Sequence, residues 1–135
     1  MRFLVDTHVV VWWYLDAPQL PDAFRDALER LQASGQSAGV CAIPLWEIAK
    51  LTERGRLQIN LSLHELLEQV ENDPLFEVIA LCAPIAAEST RVGPSSHKDP
   101  ADQLITATAR CLGLKSMTCD EAILKSNAVA LVGSR

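Results

Sequence analysis

The chain has 135 residues, 49% of them hydrophobic, and a formal net charge of −5. That length is enough to bury a real core, and so high a hydrophobic content excludes a disordered chain. The acidic balance argues against a protein that grips nucleic acid with a broad basic face, and the longest apolar run, residues 9–15, falls far short of the ~18 residues a membrane span needs.

Asp6 and His8 interrupt the apolar stretch after Arg2, and no small-residue cleavage site follows, so a signal peptide is not expected. Four cysteines (Cys41, Cys82, Cys111 and Cys119) show no C-x-x-C spacing and stand among apolar residues. They read as buried, reduced thiols of a cytoplasmic protein.

Residues 2–5 read as a first strand, and Asp6-Thr7 caps a helix reaching Leu15 that is apolar almost all round, so it is buried or faces a partner. Pro21-Asp22 opens a second helix to about Ala33. A strand over 38–42 follows the turn at 34–37 and leads through Pro44 into a helix over 45–54. On that helix Glu47, Lys50 and Arg54 share one face. Ser62 and Glu65 form an N-cap and N3 pair for a helix to about Glu71. A strand over 77–81, a helix over 84–92 and a loop at 93–96 deliver the chain to His97.

Asp99 then reads as an N-cap, Pro100 as the first helical residue and Gly113 as the residue past the helix end. A strand over 114–118, a short helix over 121–126 and a last strand over 128–132 complete the chain. This alternation predicts an α/β fold: a three-layer α/β/α sandwich with a mainly parallel sheet of four or five strands. Residues 1–135 are expected to form a single domain.

Acids recur where these strands end. If the strands are parallel, Asp6, Glu47, Asp102 and Asp120 converge along the sheet edge where open α/β folds place ligands. Each acid taken alone has a plainer use: Asp99 and Asp102 as a capping pair, Asp120 as a cap, Glu47 as a partner of Lys50 or Arg54. Asp6 differs, because a carboxylate ending a buried strand needs a partner more than a surface acid does.

Gathered carboxylates call for a cation, and the chemistry that uses them is metal-assisted phosphodiester hydrolysis. Mg²⁺ prefers oxygen ligands and keeps several waters, so few carboxylates suffice. In this reading Asp6, Glu47 and Asp102 bind the metal, and Asp120 binds a second ion or orients water. Thr7 and Thr118 hold the carboxylates from behind. Zinc is disfavoured, because His8, His64 and His97 fall in no ligand spacing. His8 reads as packed support near the site, and His97 as a weaker candidate for substrate contact.

Four stretches in order, Asp6-Thr7-His8, Trp46-Glu47-Ile48-Ala49-Lys50, His97-Lys98-Asp99-Pro100-Ala101-Asp102 and Thr118-Cys119-Asp120-Glu121-Ala122, resemble the PIN domain, specifically VapC-type toxins. The resemblance implies a Mg²⁺- or Mn²⁺-dependent endoribonuclease, the toxin of a toxin–antitoxin pair. It implies an RNA substrate, a homodimer and a cognate antitoxin. The acidic quartet falls on Asp6, Glu47, Asp102 and Asp120, with Asp99 close by; Lys50 and Arg54 are the candidates for substrate binding. Gln103 and Cys119 stand where the family often carries arginine. The non-enzymatic alternative is a degenerate PIN domain that only binds a partner.

Overall fold

The computed structural model describes residues 3–42, 46, 49–50, 63–91 and 100–119. Among these the elements run β1 (Phe3–Val5), α1 (Thr7–Leu15), α2 (Asp22–Ala33), β2 (Ala38–Cys41), α3 (Leu63–Asn72), β3 (Phe76–Ile79), α4 (Ala83–Ser89), α5 (Pro100–Leu112) and β4 (Lys115–Met117). The strands form one parallel sheet in the order β3-β2-β1-β4. Leu4 pairs with Gly39 on one side and with Ser116 on the other, which places β1 inside the sheet.

Side-chain alternation along each strand divides the core between two faces. Val5, Ala38, Val40, Phe76 and Met117 pack with Val9, Val10, Leu28, Leu66 and Val70 from α1, α2 and α3. On the opposite face Leu4 and Cys41 meet Ile105 and Ala109 of α5, while Ile79 packs against Ile85 of α4 and Ala107 of α5. Helices therefore cover both faces, the expected three-layer α/β/α arrangement, and this coverage is why β2 is buried at all four residues.

The all-round apolar character of α1 is used within the molecule. Val9, Val10 and Val11 are buried, and Trp12, Trp13 and Tyr14 are partly buried against the same core. The Tyr14 hydroxyl donates to Asp73 Oδ2 at 2.8 Å, tying the end of α1 to the turn before β3.

Strands are shorter than the apolar runs predict, because each ends where its neighbour does. Cys41 opposite Ile79 is the last pair of β2 and β3, so Ala80 and Leu81 leave the sheet. Likewise the β4 ladder spans only Lys115 to Met117, opposite the three residues of β1. Helix α4 stops at Ser89, short of the expected 92. The Ser89 and Thr90 hydroxyls donate to the carbonyls of Ala86 and Ala87, competing for acceptors near the helix end.

Helix α5 ends as expected at Gly113, whose φ of 65° lies in the left-handed region. A Cβ there would meet nothing within 4 Å, so backbone conformation rather than space selects glycine. Leu114 N donates to Ala109 O at 2.9 Å, and the chain turns directly into β4. Because β4 runs parallel to β1, α5 runs back along the strands and starts over their C-terminal ends.

The cysteine expectation is corrected. Cys41 is buried, but Cys82, Cys111 and Cys119 are exposed free thiols. Each of these three sits at the margin of an element, where apolar neighbours in sequence do not amount to burial. Of the helix expected over 45–54, residues 46, 49 and 50 are described, and they are helical. The elements expected over 121–126 and 128–132 lie outside the described residues, as does the loop at 93–96.

Candidate active site

Asp6 is the hinge between β1 and α1. Its backbone is extended, with φ −76° and ψ 161°, and its N–H continues the β1–β4 ladder to Met117 O at 3.0 Å. Alternation thus turns its side chain to the face of Leu4, the face that α5 covers. The residue is only 5% exposed.

A carboxylate this deep requires hydrogen bonds, and charged acceptors make strong ones. Thr7 N donates to Oδ1 at 2.7 Å, so Asp6 caps α1 at its positive end. From the neighbouring strand Thr118 Oγ1 donates to Oδ2 at 2.8 Å, a bond between residues 112 positions apart. Thr118 acts through its hydroxyl and Thr7 through its backbone amide.

Beside Asp6, at the same level of the sheet, burial pushes the Cys41 thiol up to about 11. A hydrogen bond with Thr108 pulls the other way, and the negative charge of Asp6 adds a smaller upward push. Burial and then Asp6 also raise the exposed Cys119 thiol. Thr108 is anchored in turn, its hydroxyl donating to Leu104 O at 2.7 Å. Helix α5 therefore passes the end of β2 at Thr108.

That contact locates Asp102. It lies six residues nearer the start of α5, about 9 Å at 1.5 Å per residue, and so beyond the strand ends. Ile105, one turn later, packs on Leu4 and Cys41, and residues three apart share a helix face. Asp102, half-buried, thus belongs to the sheet-facing side of α5 at the edge where Asp6 sits.

Glu47, Asp99, Asp120, Arg54 and His97 lie outside the described residues. Lys50 is half-buried on helical backbone, its Nζ 5.9 Å from the ring centroid of Trp46. Trp46 itself is 60% exposed. His8 is exposed rather than packed, its ring 5.8 Å from Trp12 one helical turn on.

No group of three or more His, Cys, Asp or Glu able to hold a metal occurs among the described residues. These include two of the four quartet acids, Asp6 and Asp102. The donor chemistry nevertheless fits a hard divalent cation. Asp6 offers carboxylate oxygens steadied by neutral N–H and O–H donors, as ligating carboxylates are. The nearby Cys41 thiol is held protonated, which disfavours a soft-metal thiolate site.

Sequence reasoning overlooked Thr108 and Trp46. A polar residue recurring at 106 and 108 within an apolar helix was the available signal for Thr108, and both threonines are buried. Trp46 was visible only as part of a motif, since nothing in its neighbours announces exposure.

Residues 3–128 match the PIN domain family. Ribonuclease VapC22 of Mycobacterium tuberculosis is 30% identical over 120 residues, covering 89% of this chain and 88% of that protein. The FitAcB crystal structure from Neisseria gonorrhoeae superposes with a TM-score of 0.64 at 25% identity, covering 96% of this chain and 95% of that one. VapBC2 from Rickettsia felis, bound to a promoter DNA fragment, gives a TM-score of 0.70 at 16% identity with 97% of each chain covered. With its parallel sheet and an acid seated where β1 ends, the chain belongs to the PIN-domain family, among its VapC-type members.

Proposed function

We propose that the protein is a Mg²⁺- or Mn²⁺-dependent endoribonuclease acting as the toxin of a toxin–antitoxin pair. The observation that carries this reading is the buried Asp6 carboxylate at the C-terminal sheet edge, oriented by Thr7 N–H and the Thr118 hydroxyl. A side chain needed only to cap α1 gains nothing from burial beside a second strand, because an exposed Asp or Ser caps as well. Membership of the family that contains Ribonuclease VapC22 supports the same reading.

In this reading Asp6, Glu47 and Asp102 hold the metal, and Asp120 binds a second ion or orients the attacking water. The ion, when bound, supplies an activated water and offsets charge developing on the phosphodiester. Thr118 and the Thr7 amide keep Asp6 from rotating away. Asp102 profits from the first turn of α5, where the helix dipole favours negative charge. Lys50 and Arg54 draw the RNA backbone toward an otherwise acidic surface. The working form is a cytoplasmic homodimer of one PIN domain per chain, silenced by an antitoxin whose Arg or Lys enters the acidic cleft. No described helix is long and apolar enough to cross a membrane.

Purified protein incubated with structured RNAs tests the proposal. Cleavage should require millimolar Mg²⁺ or Mn²⁺ and vanish in Asp6→Asn. RNA left intact with metal, and no metal-induced rise in melting temperature, would replace the nuclease with the partner-binding alternative.

A further inference from the structure

Thr108 is buried in α5, 2% exposed, and its hydroxyl has two contacts. It donates to Leu104 O one turn back at 2.7 Å, and it is hydrogen-bonded to the Cys41 thiol across the gap to β2. The first bond fixes the side chain on α5, and the second ties α5 to the sheet. Leu4 pairs with Gly39, so two residues further on Cys41 ends β2 at the level of Asp6. The tie therefore measures α5 against the strand pair that carries the first acid.

The turn at Gly113 pins the other end of this helix to β4. A helix held there alone pivots, and Asp102 moves most, because it lies eleven residues away, about 16 Å at 1.5 Å per residue. At that reach a tilt of about 4° displaces it by about 1 Å. Ile105 and Ala109 pack on Leu4 and Cys41, but apolar contact has no preferred direction along the sheet. A hydrogen bond does.

We propose that Thr108 is a positioning residue for the metal: through Cys41 it fixes the tilt of α5 against β2, and so the place of the Asp102 carboxylate relative to Asp6. The proposal rests on the metal-dependent reading and adds to it the residue that sets the spacing of two of its acids. That spacing matters because Mg²⁺ demands near-ideal octahedral geometry at about 2.0–2.1 Å, which tolerates errors of only about 0.5 Å in its ligands. A thiol is a weak hydrogen-bonding group, so the bond contributes direction more than stability, and its partners can be changed without unfolding the protein.

Mn²⁺ titrations followed by electron paramagnetic resonance, on the full chain without RNA, test this. Thr108→Val keeps shape and removes both bonds; it should weaken Mn²⁺ binding about 10- to 100-fold, the usual effect of removing a group that supports a ligand. Cys41→Ala should do the same, because it removes the thiol that Thr108 meets on β2. Thr108→Ser and Cys41→Ser should retain binding, since a hydroxyl can serve at either position. In cleavage assays Thr108→Val should need correspondingly more Mg²⁺ and regain its rate once metal saturates. Arg110→Ala is the control: it cuts the 3.1 Å ion pair between α5 and Glu88 of α4 and leaves Thr108 in place, so Mn²⁺ binding should not change.

Parental Mn²⁺ affinity in Thr108→Val or in Cys41→Ala, with the variant folded by circular dichroism, would overturn the positioning role. An equal loss in Arg110→Ala would overturn it too, by showing that any loosening of α5 suffices. If the parent protein binds no Mn²⁺, the metal-dependent reading falls with it; if the parent binds and both variants match it, only this inference falls.

Discussion

Asp6 serves two purposes with two oxygens, and Thr118 is the partner whose removal separates them. Thr118→Val keeps shape but removes the donor to a buried carboxylate, at an expected stability cost of about 1–3 kcal/mol. Loss of the orienting contact should lower cleavage by about 10- to 100-fold, the usual effect of removing a residue that supports a ligand. Thr118→Ser should recover most of both in melting and cleavage assays. Cys41 provides a pH signature. Its folded-state value, raised from 9.0 to about 11, favours the protonated thiol. That contribution is complete below pH 9 and lost as pH rises through 11, about 2–3 kcal/mol in all. The melting temperature should therefore fall across this window, and fall less steeply in Cys41→Ala, whatever its starting value. Tyr14, raised by burial and then by Asp73, sharpens the alkaline loss equally in both proteins, so the difference between the curves belongs to Cys41.

At the level of elements, helix starts were the most legible feature and strand ends the least. Asp6 and Pro21 mark the beginnings of α1 and α2 by local chemistry, a capping oxygen and a fixed φ, which sequence displays directly. The end of β3 is set by the end of β2, a neighbour 38 residues earlier that no local pattern reveals. The same distinction governs the site: Asp6 was legible as a buried acid, but its bond to Thr118 depends on β4 lying beside β1. Asp6 also shows that a cap can occupy the functional edge, so capping alone does not remove Asp99 from the acids there. Two variants at the start of α5 test the choice between them. Asp102→Asn should abolish cleavage with the fold intact or stabilised, because it relieves repulsion among the acids. Asp99→Ala should cost about 0.5–2 kcal/mol, the penalty for a lost cap, and keep part of the activity. Thermal melts and RNA cleavage on the two variants, with a stable but inactive Asp99→Ala beside an active Asp102→Asn, would reverse the assignment.

For the whole molecule, the burial of α1 changes where an interface should be sought. That helix packs on the core of its own chain, so its apolar character no longer argues for a dimer. The large apolar side chains that remain exposed among the described residues are Leu15, Trp46, Leu81 and Leu112. Leu81 and Leu112 flank the ends of α4 and α5, next to exposed Cys82 and Cys111, and form the better candidate for self-association. Sedimentation at micromolar concentration should give a dimer that Leu112→Glu dissociates; a wild-type monomer would exclude the homodimer.

The bond between Thr118 and Asp6 has a consequence for the protein while it is still being made. Its two halves are translated 112 residues apart, and β4 is the last described strand to emerge from the ribosome. Until β4 docks along β1, the first acid of the site has no hydroxyl to seat it. A nascent chain therefore holds Asp6 by the Thr7 amide without the Thr118 hydroxyl, and on the proposed activity it should spare the message being read and the ribosome reading it.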